Sequence, residues 1–441
     1  ALLQAGAVGA LAGALVEGAA PVDVQVACAT ALASLSHFEG TWRVSAAHRA
    51  KEFPAAVRGV AALATNAPAG VRISAVSALG QLLAGKGAAS LDASTTDNAI
   101  QALSYMLHPA AGASREEETA ALVALRGGSG CAGTLSAMRV SPTPELVMAA
   151  LSADEVSEFG AEAGMVVLAR MMESSPSAAE EVCVAGGVLA AVRAATAHRS
   201  SLAVREATAE LLEAAAASGC EDCTMRVGHY ATPVILALAR TQDPVMQVRA
   251  LKMMRQLCIN NFNKFAMQKG FDVIQELVPL LTRPDVIQQA MVAECLAHLA
   301  TTENAFYGEN ARALGEARAM KPLMVLAKSR DTTVHLHAVW ALACMTACQG
   351  NHVPMRAALD TLLLVLEKGT PGAQRYAVMA VSNMAASDRT RDLLKTKGAD
   401  NLLRKCAQAN SGDRMMNDLV FRTALPNIKR NGTQVFNIPV P

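Results

Sequence analysis

The chain has 441 residues, of which 52% are apolar and only 3% aromatic. At about 100 to 200 residues per globular domain, this length allows two to four domains or one long repeat array. Alanine and leucine supply most of the apolar content, and both favour helices, so a core of such side chains suits thin stacked helical layers. The formal net charge of +1 gives no indication of nucleic acid or membrane as a partner of the whole chain.

Charge is unevenly distributed along the chain. Residues 1–140 are neutral overall, residues 141–245 carry a net charge of −8, and residues 246–441 carry +9. This division indicates either two surfaces with different partners or a solvated helical surface whose charge is simply uneven.

The cysteines and the apolar runs bear on the cellular compartment. Ten cysteines are scattered through apolar helical patterns, which is typical of reduced, buried thiols rather than of a disulfide framework. No apolar run approaches the ~18 residues of a membrane span, and no signal-peptide pattern opens the chain. We therefore expect a cytoplasmic protein, with a cytoskeletal or ciliary location included. The alternative is the mitochondrial matrix or another organelle after removal of a presequence.

One pattern, small-x-x-small-apolar-x-x-apolar, recurs along the chain. Its copies begin at residues 28, 75, 121, 161, 207, 250, 292, 338 and 377, with gaps of 39 to 47 residues. The i, i+3, i+4, i+7 spacing places the four side chains of each copy on one helical stripe. A second apolar helix precedes each stripe, and a short polar break separates the two. Since one such unit cannot bury its own apolar face, neighbouring units are expected to stack.

The period of about 40 to 47 residues is typical of HEAT and armadillo arrays. The stretches QAGAVGALAGAL at 4–15 and VAGGVLAAVRAA at 184–195 resemble the first long helix of an armadillo repeat. AVWALACM at 338–345 resembles its last helix. Over roughly residues 1–405 the chain is similar to the armadillo family. The resemblance implies an all-α fold, a right-handed α-solenoid of about nine armadillo-like repeats.

The predicted organisation has four segments. Residues 1–107 form repeats one and two, and residues 146–410 form repeats four to nine with a capping helix. Between them, residues 108–145 are rich in Gly, Ser and Pro, which predicts a loop-rich, degraded third repeat that acts as a hinge. Residues 411–441 contain three prolines and are expected to run as an extended tail, because proline does not continue a helix.

In armadillo proteins the last helices of the repeats line a groove, and the nuclear-import adaptor of this family clasps a basic peptide there with Trp and Asn side chains. Only Trp340 and Asn383 match those positions here, and they fall in different repeats, which argues against an import adaptor. A groove for another extended segment is the remaining hypothesis, with plain solvated positions as its alternative. Its candidate residues are Arg249, Lys252, Gln256, Glu294, His298, Trp340 and Asn383.

The C-terminal part of the chain is basic, with ten Lys or Arg residues against five Asp between residues 386 and 430. This excess favours an acidic protein surface, such as the tails of tubulin, over nucleic acid, because aromatic side chains for base stacking are scarce. A charged capping helix is the simpler alternative. The candidate residues are Arg389, Arg391, Lys395, Lys397, Arg404, Lys405, Lys429 and Arg430.

No motif indicates catalysis, a cofactor or a metal ion. A phosphate cradle needs a preceding strand, and the Gly-rich stretch at 126–133 has none. A zinc site needs four ligands, usually in two pairs, and neither Cys/His grouping offers a second pair. Those groupings are Cys220, Cys223 and His229, and Cys344, Cys348 and His337.

The sequence therefore predicts a non-catalytic scaffold that mediates protein–protein contacts, inside a larger assembly. One alternative is an adaptor or chaperone that binds an extended client peptide in the inner groove, as the myosin-directed chaperones with this fold do. Another is a microtubule- or axoneme-associated subunit, and a further one is an RNA- or ribosome-associated helical-repeat subunit.

Overall fold

The computed structural model describes residues 7–15, 20–36, 46–85, 87–301 and 307–429. Within these ranges the chain is helical and contains no β-strand, so the predicted all-α class is confirmed. The chain divides into two compact units, residues 1–234 and 235–441.

The first unit is built from thirteen α-helices and the start of a fourteenth within the described ranges. In chain order they are α1 (Ala7–Ala14), α2 (Val22–Ser36), α3 (Ala46–Asn66), α4 (Ala69–Ala84), α5 (Ala93–Tyr105), α6 (Arg115–Gly128), α7 (Ala132–Val140), α8 (Thr143–Leu151), α9 (Glu158–Ser174), α10 (Pro176–Val184), α11 (Gly187–Ala197), α12 (Leu202–Ala217), α13 (Glu221–Arg226) and α14 (Thr232–Ala239). A π-helical segment, Val227–Ala231, joins α13 to α14.

The second unit continues from the end of α14. Its described helices are α15 (Pro244–Ile259), α16 (Asn261–Phe271), α17 (Val273–Leu277), α18 (Val286–Leu299), α19 (Tyr307–Glu316), α20 (Met320–Leu326), α21 (Thr332–Thr346), α22 (His352–Met355), α23 (Leu359–Lys368), α24 (Pro371–Met384), α25 (Asp388–Thr396), α26 (Ala399–Ala409), α27 (Arg414–Asp418) and α28 (Leu425–Lys429). A second π-helical segment, Leu419–Ala424, joins α27 to α28.

Each unit contains one continuous row of helices in which every member packs on the next. In the first unit the row is α2, α4, α6, α9 and α12. In the second unit it is α15, α18, α21, α24 and the π-helical segment Leu419–Ala424. We call these rows the first and second ladder. Other helices flank the ladders, as α3 does by packing against α4 and α23 by packing against α24.

The recurring stripe forms the packing surface of the ladder helices. In α21 the stripe residues Ala338, Ala341, Leu342 and Met345 are all buried, and the stripes of α15, α18 and α24 are buried in the same way. Small side chains at the leading positions let neighbouring helices approach closely. Hydrophobic burial along the stripe, worth roughly 25 cal/mol per Å² of apolar surface, therefore drives layer-on-layer stacking.

A capping residue starts most ladder helices and recurs with the same period of about 40 residues. Its side chain accepts a hydrogen bond from a backbone N–H in the first turn, which satisfies a donor that the helix itself leaves unpaired. The capping residues are Ser114, Ser157, Ser201, Asp243, Asp285, Asp331, Thr370 and Asp413.

Residues 108–145 are mostly helical, so the prediction of a loop-rich third repeat is wrong for this segment. The helices α6 and α7 and the start of α8 occupy it. One of its glycines serves close packing: Gly127 lies in α6 where an added Cβ would be 3.0 Å from the Gly80 carbonyl oxygen of α4. The boundary between the compact units falls after residue 234 and not here.

The prediction of an extended tail over 411–441 is wrong for residues 414–429, which form α27, a π-helical segment and α28. The side chains of Met416, Val420 and Ala424 are buried, and the Nδ2 group of Asn427 donates to Ser382 Oγ of α24 at 2.8 Å. This segment thus continues the second ladder. Residues 430–441 lie outside the described part of the chain.

Each π-helical segment ends two residues before a proline of the helix that continues it, Pro233 or Pro426. Proline lacks an N–H and clashes with the carbonyl four residues earlier. For Pro233 and Pro426 that carbonyl belongs to His229 and Arg422, which both lie inside a π-helical segment. The wider π turn gives the proline ring room, so the helix continues past a residue that normally ends it.

Candidate protein-binding surface

A cluster of charged and aromatic side chains lies beside the buried stripes of the second ladder. Glu294 of α18 pairs with Arg255 of α15, with 3.5 Å between Oε2 and Nη1. It also lies 3.9 Å from Nε2 of His298, one turn further along α18. The cluster therefore links neighbouring ladder helices through side chains that border the packing surface.

Aromatic contacts continue this cluster across the next two helices. The ring of His298 meets Trp340 of α21 edge to face, with 4.7 Å between the ring centroids. Trp340 in turn stacks on Tyr376 of α24, with centroids 5.5 Å apart and an interplanar angle of 15°. The ring of His337 lies 6.1 Å from that of Trp340. All four rings are half-buried, so part of each faces solvent.

We call this set the Trp340 row. Its members are Arg255, Glu294, His298, His337, Trp340 and Tyr376.

The charges in the Trp340 row stabilise an ionised carboxylate. Burial by itself raises the pKa of Glu294, but the hydrogen bond with His298 and the charges of His337 and Arg255 outweigh burial and lower it below its ordinary value. For His337, burial lowers the pKa, and the nearby carboxylate of Glu294 offsets this only in part. At neutral pH the row thus holds an ionised carboxylate paired with the Arg255 guanidinium, beside the neutral imidazole of His337.

The structure brings together three of the seven predicted groove residues, Glu294, His298 and Trp340. Lys252 and Gln256 are exposed on α15 and Arg249 is half-buried there. Which of these binds a partner stays a prediction.

Asn383 does not belong to a solvent-facing groove, and this part of the prediction is wrong. Its side chain is completely buried and lies between α21 and α24, where Nδ2 is 3.5 Å from Thr346 Oγ1. A buried amide must find a hydrogen-bond partner inside the protein, so the residue contributes to packing between layers.

Sequence reasoning missed Arg255, His337 and Tyr376. His337 and Tyr376 each directly precede a stripe, at the position that Arg249 holds in α15. An aromatic or imidazole side chain at this repeated position was the available signal. Their contacts with Trp340 could not be read from the sequence, because they depend on how far each layer is shifted along the next.

Most residues of the predicted basic C-terminal surface are exposed, and their role in binding stays a prediction. Arg389, Lys395, Arg404, Lys405 and Lys429 are exposed on α25, α26 and α28. Lys397 is also exposed, and its Nζ lies 2.7 Å from Asp360 Oδ1 of α23. Arg430 lies outside the described residues.

Arg391 is wrongly assigned to this basic surface. Only 4% of it is exposed, and its guanidinium donates to the Ala385 carbonyl oxygen at 2.9 Å and pairs with Asp388 at 3.0 Å. It therefore closes the turn between α24 and α25.

Two further properties concern metals and membranes. No three His, Cys, Asp or Glu side chains among the described residues group in a way that could hold a metal ion. Within the same residues, no helix combines the length and the apolar character that crossing a bilayer requires.

Comparison with known proteins supports the fold alone. No protein-family model matches the sequence, and no curated protein matches it either. The structure is similar to the crystal structure of an engineered protein from the Northeast Structural Genomics Consortium, with a TM-score of 0.61 and 21% identity over 96% of this chain and 99% of that chain. Two other engineered proteins from the same consortium are 23% identical over 55% of this chain, with TM-scores of 0.45 and 0.44.

Proposed function

We propose that the chain is a non-catalytic scaffold of the armadillo type, a right-handed solenoid of about nine repeats that binds other proteins within a larger assembly. The C-terminal helical segment 414–429 adds a further, partial layer to this array. Support comes from the recurring stripe and from side-chain contacts that join residues about 40 positions apart, such as Gln247 with Gln288. Each layer repeats the packing of the one before.

The observation that carries the proposal is the Trp340 row. A half-buried indole, stacked on one ring and bordered by an ionised carboxylate, presents an apolar face and charged groups at the same place. Aromatic and arginine side chains dominate binding energy at protein interfaces. The exposed Lys252 and Gln256 on α15 add hydrogen-bonding groups beside the row.

An extended segment of another protein fits this surface best. The row crosses from α15 through α18 and α21 to α24, so a bound strand would meet one side chain or ring from each successive helix. Amide and charged groups can then bond the backbone of the strand, while Trp340 contacts an apolar side chain. The proposed client is therefore a linear peptide rather than a folded surface.

Tryptophan fluorescence gives a direct test, because the chain has two tryptophans, Trp42 and Trp340. In a Trp42→Phe variant, Trp340 is the sole source of tryptophan fluorescence. Peptides selected from a displayed random library should change its fluorescence on titration. Lys252→Ala and Gln256→Ala should each weaken the binding of those peptides, by about twofold to thirtyfold if each loses roughly 0.5 to 2 kcal/mol.

The matched control is Phe159→Ala on α9, since Phe159 is an aromatic side chain 71% exposed on the first ladder. This variant should bind the selected peptides as the parent does. The proposed surface would be refuted if the selected peptides bind without changing the fluorescence of Trp340. The Trp340→Ala variant would then bind these peptides as well as the parent does.

The exposed cations of α25 and α26 favour a second candidate, an acidic protein partner such as the tails of tubulin. Arg389, Lys395, Arg404 and Lys405 are exposed on these two helices, which pack together. Co-sedimentation with microtubules should weaken when Arg404 and Lys405 are changed to Gln. Binding to RNA with a steep salt dependence would instead favour a nucleic-acid partner.

A further inference from the structure

Three cysteines of the first unit come together although they lie on two helices. Cys183 is near the end of α10, while Cys220 and Cys223 begin α13, and these two helices pack on each other. The thiol of Cys223 hydrogen-bonds to the side chains of both Cys183 and Cys220. The three sulfur atoms thus form one connected group with Cys223 in the middle.

The members of this group differ in access to solvent. Cys183 and Cys223 are completely buried, whereas Cys220 is half-buried. Cys220 also caps α13, because its Sγ accepts a hydrogen bond from the Cys223 backbone N–H at 3.4 Å. This bond directs the Cys220 sulfur toward Cys223. A reagent in solution can therefore reach Cys220 first, and Cys223 only through it.

We propose that these cysteines form a thiol–disulfide exchange site, in which a small-molecule disulfide reacts at Cys220 and Cys223 resolves the adduct to a Cys220–Cys223 disulfide. In the first step the Cys220 thiolate attacks one sulfur of the reagent. The reagent's S–S bond breaks, a mixed disulfide forms on Cys220, and one small thiolate leaves.

In the second step the Cys223 thiolate attacks the Cys220 sulfur, and the mixed disulfide breaks to release the second small thiolate. The two protein thiols together lose two electrons and two protons. The reagent gains the two electrons, and its two thiolates take up protons from solvent to match those released. The step is thus a reversible thiol–disulfide exchange, whose rate depends on the fraction of the attacking thiol that is ionised and on the pKa of the leaving thiol.

Cys183 acts as a positioning residue for the second step. Its hydrogen bond to the Cys223 sulfur, against the opposing effect of burial, lowers the pKa of Cys223 to about 6. The same hydrogen bond and burial raise the pKa of Cys183, so Cys223 ionises first. Partial burial raises the pKa of Cys220, which makes the first step slow at neutral pH and faster as pH rises.

The test uses the reduced full-length chain treated with oxidised glutathione, alkylated and digested with trypsin without reduction. Cys220 and Cys223 share the peptide 206–226, while Cys183 lies in the peptide 171–193. Peptide 206–226 should carry no alkyl group, and its mass should be lower than that of the reduced peptide by two hydrogens, because Cys220 and Cys223 are joined by a disulfide. Cys223→Ser should accumulate glutathione on Cys220, and Cys220→Ser should leave Cys223 without glutathione.

Cys131 is the internal control, since it is also half-buried and lies on a separate peptide, 127–139. It should hold glutathione as a mixed disulfide under the same conditions. Cys183→Ala should still form the internal disulfide, but its second step should be slower at pH 7 and normal at pH 9.

Three results would overturn the proposal. The first is that, once Cys131 has reacted, the wild-type peptide 206–226 carries glutathione but no internal disulfide. The second is a disulfide cross-link between the peptides 206–226 and 171–193. An unchanged pH profile in Cys183→Ala would refute the role of Cys183.

Discussion

The two ladders bury the same kind of stripe but carry different side chains beside it. At the position that holds Glu294 in α18 and Trp340 in α21, the helices α9 and α12 of the first ladder hold Ala163 and Ala209, both completely buried. In the second ladder this position is half-buried at Glu294 of α18 and Trp340 of α21, whereas α15 holds the exposed Lys252 and α24 holds the buried Met379. Repetition thus conserves packing geometry, while the positions beside the stripe are where recognition can arise.

Side-chain contacts between layers also differ between the two ladders. In the first, Arg72 of α4 makes a two-pronged ion pair with Glu117 of α6, at 2.9 and 3.2 Å. In the second, neutral amides meet, as when Gln288 of α18 donates to Gln247 of α15 at 2.6 Å. The carboxylate of this pair in the first ladder is almost fully buried, whereas the ion pair between α15 and α18 of the second ladder, Arg255 with Glu294, is partly exposed.

The largest expected effect follows from that buried charge pair. Glu117 is fully buried, so Arg72→Met leaves an unpaired carboxylate inside the protein. The free energy of unfolding should fall by about 3 to 5 kcal/mol in urea titrations. Arg126→Met is the matched control, because its pair with Glu162 is partly exposed and should cost at most about 1 kcal/mol. Equal losses in the two variants would contradict the assignment.

A smaller effect is expected where the first ladder is packed most closely. A Cβ added at Gly80 of α4 would lie 2.5 Å from the Ala124 Cα of α6, so Gly80→Ala forces the two helices apart. Overpacking of this kind costs about 1 to 3 kcal/mol. Gly133→Ala in α7 meets open space and should be neutral or stabilising, by about 0.4 to 1 kcal/mol. Thermal unfolding of both variants distinguishes these outcomes.

In the second ladder the stacked rings should matter more for binding than for folding. Tyr376→Leu removes the ring that stacks on Trp340 and should lower the free energy of unfolding by only about 0.5 to 1.5 kcal/mol. The same variant should shift the emission of Trp340 and weaken peptide binding. A loss of stability above 3 kcal/mol would show that the ring is a core element instead.

The smallest effect is one of pH and concerns His337. Because burial lowers its folded-state pKa, the unfolded chain takes up a proton at about pH 6.5 before the folded chain does. Stability should therefore decrease as pH falls below about 6.5, until the folded-state pKa is passed. His337→Gln should show a smaller decrease between pH 7.5 and 5.5 in urea titrations. A larger decrease would contradict the shift.

Much of the fold was readable from the sequence, because packing repeats. The stripe beginning at Ala338 recurs every 39 to 47 residues along the chain, and capping residues such as Asp331 and Thr370 recur with it. The helical segment at 414–429 was missed because Pro426 argues locally against a helix. A π-helical segment accommodates that proline, and the local preference of proline gives no sign of it.

The candidate site could be predicted only in part from the sequence, because its side-chain contacts depend on how far each helix is shifted along its neighbour. Trp340 was noticed because it stands at the position where the import adaptor of the armadillo family carries its groove tryptophan. Its partner Tyr376 could not be assigned without knowing which turns of α21 and α24 meet. Asn383 was misplaced for the same reason, because a shift of one position along the helix separates a buried side chain from an exposed one.

Photo-cross-linking from the second ladder tests the central claim most directly. A photoreactive phenylalanine analogue placed at Gln256 lies exposed on α15, beside the Trp340 row, and the same group at Phe159 serves as the matched position on the first ladder. We predict that a selected peptide cross-links strongly from position 256 and only at background level from position 159. Cross-linking from position 159 alone, or equally from both, would contradict a binding surface on the second ladder.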